Sequence, residues 1–320
     1  MADVEALAAA HYRTQGRLAL AAGRAVAREW QQLDRSNLTS SWQTRTGARA
    51  VALVTAAQTA AATGATDYVN RTVAAQGATP DNQGLTVDAT AFAGIASDGR
   101  PLDTLLYQPI IRAKTLIGGG ATLDDAMDQA LAELIMIATS EVADAGRGAV
   151  GSAIVSDRAT TSYVRVLSPP SCSRCALLAG KEYSFSTPFQ RHPRCDCVHL
   201  PITEYYRSHL TNPRDYFDSL TAAEQNRVFT NAGAQAIRDG ADVGQVVNAR
   251  RGMYALGEGY GSGLKATYEG MTRRGFARAR MRGLPTGPGG NVRLMPEAIY
   301  RIASDREEAI RLLYRYGYLT

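Results

Sequence analysis

Residues 3–33 read DVEALAAAHYRTQGRLALAAGRAVAREWQQL, and this stretch decides the fold class. Val4, Leu7, Ala8, Leu18, Ala21, Ala22, Ala25, Val26 and Leu33 recur at helical spacing with charged residues opposite, the pattern of one long amphipathic helix. Alanine supplies much of the apolar face, which points to closely packed helices rather than sheets filled with large side chains. Working outward, Ser36 to Ser40 breaks this helix, and a second alanine-rich helix is predicted from about residue 45 to 75. Gly77, Pro80, Gly84, Gly94, Gly99 and Pro101 then punctuate a loop-rich stretch. A third helix is predicted over roughly 102–116, stopped by Gly118-Gly119-Gly120. After Thr122 a fourth carries Met127, Leu131, Leu134, Ile135 and Ala138 and extends toward Val155. Residues 1–160 therefore read as an alanine-rich helical domain, a bundle of long helices.

The pattern changes near Tyr163. Tyr163-Val164-Arg165-Val166-Leu167 is short, β-branched and aromatic, and Ser168-Pro169-Pro170 follows it, so a strand feeding a turn is predicted. Thr221-Ala222-Ala223-Glu224 matches a capping box, and short helices follow to about Ala249. From Arg251 to Asn291 glycines are frequent and no acid stands between Glu269 and Glu297, which reads as an extended or partly disordered arm. Pro296 is placed like a first helical residue, and Ser304-Asp305-Arg306-Glu307 reads as a second capping box ahead of a closing helix with Ile310, Leu312 and Leu313. The fold class expected is mainly α with a small α+β part. It comprises a helical domain at 1–160, a small knuckle-like domain at 161–250, and a Gly/Arg-rich arm with a closing helix at 251–320.

Composition narrows the function classes. The 320 residues are 45% hydrophobic, 20% charged and only 7% aromatic, enough to bury a core in about two domains. No apolar run approaches the roughly 18 residues of a membrane span. The N-terminus MADVEALAAAHYR has acids where a signal peptide needs a basic flank, so a soluble, non-exported protein is expected. Net charge is +5, and the basic excess lies C-terminal. Three lysines, Lys114, Lys181 and Lys265, are outnumbered heavily by arginines, a bias that suits phosphate recognition but also follows from base composition.

All four cysteines fall in one segment, Cys172-Ser-Arg-Cys175, then His192-Pro-Arg-Cys195-Asp-Cys197 beyond a loop. Two thiolates two residues apart can grip one ion, and a second set of donors completes a tetrahedron. Five donors compete for four positions, and zinc is the usual ion for such a set. Two disulfides, or a thioredoxin-like redox pair at Cys172 and Cys175, are the alternatives. A catalytic zinc would need an open position beside an acid or histidine, for which only Glu182, His199 and Glu204 are candidates. His199 is also a candidate to orient a ligand; the lone His11 and His209 read as surface or packing residues.

Gly257 to Gly263 followed by Leu264 and Lys265 lacks the Gly-Lys-Ser/Thr ending of a phosphate loop. Arg273-Arg274-Gly-Phe276-Ala-Arg278-Ala-Arg280-Met-Arg282 is the more credible binding segment. Its guanidinium groups, Arg273, Arg274, Arg278, Arg280 and Arg282, suit either nucleic-acid phosphates or an acidic protein, and Phe276 suits base stacking or anchorage.

The ordered set Cys172, Cys175, His192, Cys195 and Cys197, then Pro213 to Glu224, Ala236 to Gly252, Met295 to Tyr300 and Asp305 to Leu313, resembles the MuF-like minor head proteins of tailed bacteriophages, especially those of actinobacterial phages. The resemblance covers roughly residues 160–320. It implies a structural, non-enzymatic role in the phage head, made in the host cytoplasm and carried inside the virion at the portal vertex. The implied partners are the portal protein, the major capsid or scaffolding protein, and packaged double-stranded DNA bound without sequence preference, with no membrane. It implies structural zinc on the five Cys and His residues named. The competing expectation is a zinc-dependent nuclease whose basic arm holds nucleic acid.

Overall fold

Asp3 caps the first helix by accepting the Glu5 N–H, and α1 (Val4–Trp30) then runs unbroken because no residue within it interrupts the backbone ladder. Its buried face, with Ala8, Ala19, Ala22, Val26 and Trp30, packs against α7 (Leu123–Ser156), capped by Thr122. Between them come α2 (Leu38–Ser41), a π turn at Trp42–Thr46, α3 (Gly47–Ala62), α4 (Ala65–Ala75), α5 (Leu102–Leu106) and α6 (Gln108–Gly118). The computed structural model describes residues 3–167, 171–185, 197–204, 206, 212–257, 263–282 and 292–319. They form two units, Met1–Ser168 with Lys181–His209, and Pro169–Gly180 with Leu210–Thr320.

In the first unit the helical expectation holds, with two corrections. The helix expected over 45–75 is interrupted: Thr63 is extended and Gly64 sits at φ 83°, a left-handed conformation that glycine adopts without steric cost. Separately, the helix expected over 102–116 divides at Tyr107, because Pro109 cannot donate to a continuing ladder and instead occupies the first turn of α6. The bundle core gathers Val26, Trp30, Trp42, Val54, Leu102, Leu106, Ile110 and Leu134. The Trp30 and Trp42 rings meet edge to face at 6.3 Å.

A three-stranded antiparallel sheet completes this unit: β1 (Thr160–Val166) lies between β2 (Glu182–Ser184) and β3 (Val198–Thr203). Tyr163 pairs with Tyr183 in register, and their rings stack at 5.5 Å over Val69, Val73, Val150 and Ile154. The free edge of β3 is covered by α4. Tyr68 donates to the His199 carbonyl at 2.9 Å, the Gln76 amide donates to the Pro201 carbonyl at 2.6 Å, and its oxygen accepts the Thr203 N–H at 2.8 Å. Two side chains eight residues apart on one helix face thus satisfy an edge that would otherwise invite foreign strands.

The second unit is built from short pieces: α8 (Ser173–Leu177), α9 (Pro213–Ser219), α10 (Ala222–Phe229), α11 (Asn231–Arg238) and α12 (Val243–Ala249). The Thr221 and Glu224 capping box forms as expected. The segment expected to be an extended arm is ordered in part, for its described residues contribute β4 (Met253–Ala255), β5 (Lys265–Thr267) and α13 (Phe276–Met281). β5 pairs on its other side with β6 (Arg293–Leu294), so burial of Ala266 and Leu294 outweighs the local glycine content. α14 (Pro296–Ile302) and α15 (Arg306–Arg315) close the chain, with Pro296 in the first turn as expected. The second capping box is shifted by one residue: Asp305 is the cap and accepts the Glu308 N–H, while Glu308 accepts from the Ser304 N–H and hydroxyl.

Among the described residues Arg293 is the largest fully buried side chain. It donates to the carbonyls of Tyr316, Glu269 and Gly317 and to the Gln245 side-chain oxygen, and its guanidinium lies 4.3 Å from the Tyr318 ring centroid. Burial lowers its pKa from the ordinary arginine value. With no carboxylate among these partners, the charge is held by carbonyl dipoles and an aromatic face.

Candidate functional sites

Of the five proposed metal donors, His192 and Cys195 lie outside the described residues. Cys172 is exposed and caps the five-residue α8, where its Sγ accepts the Cys175 N–H at 3.4 Å. Cys175 is buried, as is Cys197, whose sulfur accepts from the Arg165 guanidinium at 3.2 Å. Among the described residues no group of three or more His, Cys, Asp or Glu is gathered to hold an ion. The candidate general bases have other surroundings. The Ser162 hydroxyl donates to Glu182, Glu204 is exposed at the end of β3, and the His199 ring packs 4.7 Å from Tyr163.

The basic segment is divided by the fold. Arg273, Arg274, Arg278 and Arg282 are exposed. Arg280 instead folds back over the Tyr314 ring at 4.2 Å and donates to its hydroxyl at 2.7 Å, fastening α13 to α15. Phe276, although 44% exposed, meets the backbone at Gly317, so anchorage is its role here. Arg280 is thus half-buried and held at Tyr314, whereas the other four arginines project into solvent. Close by in sequence, Tyr254 and Tyr268 stack at 4.2 Å, a pair that β4 and β5 bring together and that sequence spacing does not reveal.

A cavity of about 400 Å³ lies in the first unit, within the usual range of ligand and peptide sites. One wall is α1, from His11 to Leu20; the other is α7, from Ile135 to Val150; Cys197, Val198 and His199 of β3 close one end. Its lining contains no carboxylate, and Arg147 is occupied by Asp144 at 2.6 Å and by the Cys197 carbonyl at 3.3 Å. His11, read from sequence as a surface or packing residue, stacks on Tyr68 at 4.0 Å with the rings 12° from parallel, and burial pulls its pKa down to about 4. The available sequence signal was the position of His11 on the apolar side of α1, two turns before Leu18; the partner ring comes from another helix.

Residues 1–223 match the model of the VG15 protein family, a phage protein family, and the chain belongs to it. No curated protein and no solved structure matches the chain. The matched span includes the helical first half and the whole cysteine segment and ends before the closing half of the second unit. No helix among the described residues is long and apolar enough to cross a membrane.

Half-buried His11, its pKa lowered by burial, is expected to make the first unit acid-sensitive. In the folded chain His11 stays neutral down to about pH 4, whereas an unfolded chain takes up this proton near 6.5. Only the unfolded state binds the proton in that window, so stability present at neutral pH is lost as pH falls from 6.5 toward 4, by about 2–3 kcal/mol. His11→Phe keeps the stack on Tyr68 and is expected to flatten this slope. Urea denaturation at a series of pH values across the window measures it, and an unchanged slope in the variant would refute the assignment.

Proposed function

We propose that this chain is a structural minor head protein of a tailed phage, of the MuF-like kind, acting at the portal vertex without catalysis. The observation that carries the reading is membership of a phage protein family over residues 1–223. The ordered motifs of residues 160–320 support the finer assignment. The proposed partners are the portal protein and the major capsid or scaffolding protein, met in the host cytoplasm before the chain is enclosed in the head. Quantitative mass spectrometry of purified particles against the portal and major capsid proteins tests this. Recovery at an abundance like that of the portal is expected; absence from both particles and procapsids overturns the reading.

A structural zinc held by four of Cys172, Cys175, His192, Cys195 and Cys197 belongs to this proposal. Its support is the spacing of the donors in sequence and the amide hydrogen bond to the Cys172 sulfur. When bound, zinc would contribute its binding energy directly to folding. Cys172→Ser is expected to reduce the zinc content of the purified chain and to lower its melting temperature. Full metal content with unchanged melting would remove Cys172 from the ligand set.

Packaged DNA is the proposed contact of the four projecting arginines, Arg273, Arg274, Arg278 and Arg282. Four neutralised phosphates give a slope of about −3 to −4 for the logarithm of affinity against the logarithm of salt concentration. The double variant Arg273→Gln with Arg274→Gln is expected to reduce that slope by about 2. A binding constant indifferent to salt would exclude the contact.

A further inference from the structure

On α1 the residues Arg13, Arg17, Leu20 and Arg24 are separated by four, three and four positions, which places them in one narrow stripe along the helix. All four are exposed, Leu20 by 58%, and Arg28 continues the row as a further exposed arginine. Among the described residues none of these arginines has an ion-pair partner; Arg17 donates to the Thr14 hydroxyl at 3.2 Å. Leu20 is at once a member of this stripe and a lining residue of the 400 Å³ cleft between α1 and α7. An apolar cleft and a row of unneutralised cations therefore share one edge.

The shape of the cleft suits a helix better than a compact ligand. Its walls extend over about 14 Å of α1 and about 22 Å of α7 at 1.5 Å per residue, three to four turns of a helix laid alongside. The side chains available, Leu20, Ile135, Met136, Ala143 and Val150, are apolar, and Met136 adapts its shape readily. A nucleic acid would satisfy the arginines but would bring no apolar group to fill the cleft, leaving Leu20 against a polar backbone.

We infer that the α1–α7 cleft is a docking groove for an acidic amphipathic helix of a partner protein. The apolar residues of that helix, spaced by three, four and seven, occupy the cleft, and its carboxylates lie along Arg13, Arg17 and Arg24. The inference stands apart from the phage reading, since it uses only the geometry and charge of the first unit.

Fluorescence anisotropy with the full chain tests it. The probe is a labelled amphipathic helical peptide of about 18 residues with leucines on one face and glutamates elsewhere; its counterpart carries lysines in place of the glutamates. Saturable one-to-one binding of the acidic peptide is expected, with the lysine peptide weaker by about ten-fold or more. Leu20→Glu and Arg17→Glu, both at exposed positions that leave the core intact, are each expected to weaken the acidic peptide by about ten-fold. Circular dichroism melting of both variants should match the parent chain. Equal binding of the two peptides, no binding of the acidic one, or insensitivity to Leu20→Glu overturns the proposal. So does displacement of the acidic peptide by a short DNA duplex, or sedimentation showing that the chain pairs with itself through Leu20.

Discussion

Close approach of α1 and α7 is the constraint on which the first unit depends. A Cβ at Gly23 would lie 2.9 Å from the Thr139 methyl, and one at Gly146 would run into the Gln15 side chain. These glycines, with Ala19 and Ala22, leave room for side chains of the facing helix to lie directly against the backbone. Alanine-rich helices bury little apolar area per residue, so they gain cohesion by packing density rather than by side-chain size. The cleft runs along the same stretch of this helix pair, lined there by Gly16, Leu20, Met136 and Ala143. Tight crossing and open cleft are two parts of the same helix pair.

The second unit is held differently. Its helices are short, and buried polar groups join them. Arg293 gathers β6, the C-terminal turn, α12 and the loop at Glu269 through hydrogen bonds to four oxygens. A guanidinium stripped of water costs several kcal/mol unless such bonds replace hydration, so all of these segments must be in place for the charge to be tolerated. Asp239 acts similarly between α11, α14 and α15. Burial alone would raise its pKa, but hydrogen bonds from Tyr300, Gln235 and Arg306 outweigh burial and leave it below the ordinary value. Directional networks of this kind specify one arrangement where apolar area is small.

These two strategies distribute the surfaces available to partners. In the first unit the exposed cations stand beside an apolar cleft, which suits protein recognition. In the second the exposed cations Arg273, Arg274, Arg278 and Arg282 stand on and around α13, whose inner side is pinned by Arg280 on Tyr314 and by Phe276 on Gly317. A pinned helix presents its outer arginines at a lower entropic cost than a free arm would, which strengthens any electrostatic contact they make.

Sequence by itself determined the long helices, the strand at Tyr163, the capping box at Thr221 and the proline start of α14, because periodicity, caps and proline geometry act over a few residues. It also located the cysteine segment. Tertiary structure alone decided the three-stranded sheet, two of whose strands fall in the stretch read as an arm. It decided too that Arg280 lies over Tyr314, that Arg293 is buried, and that burial lowers the proton affinity of His11 beside Tyr68. Each of these depends on a partner tens of residues away. A local pattern records which face of a helix is apolar, but only the packed molecule determines what that face meets and which charges water no longer reaches.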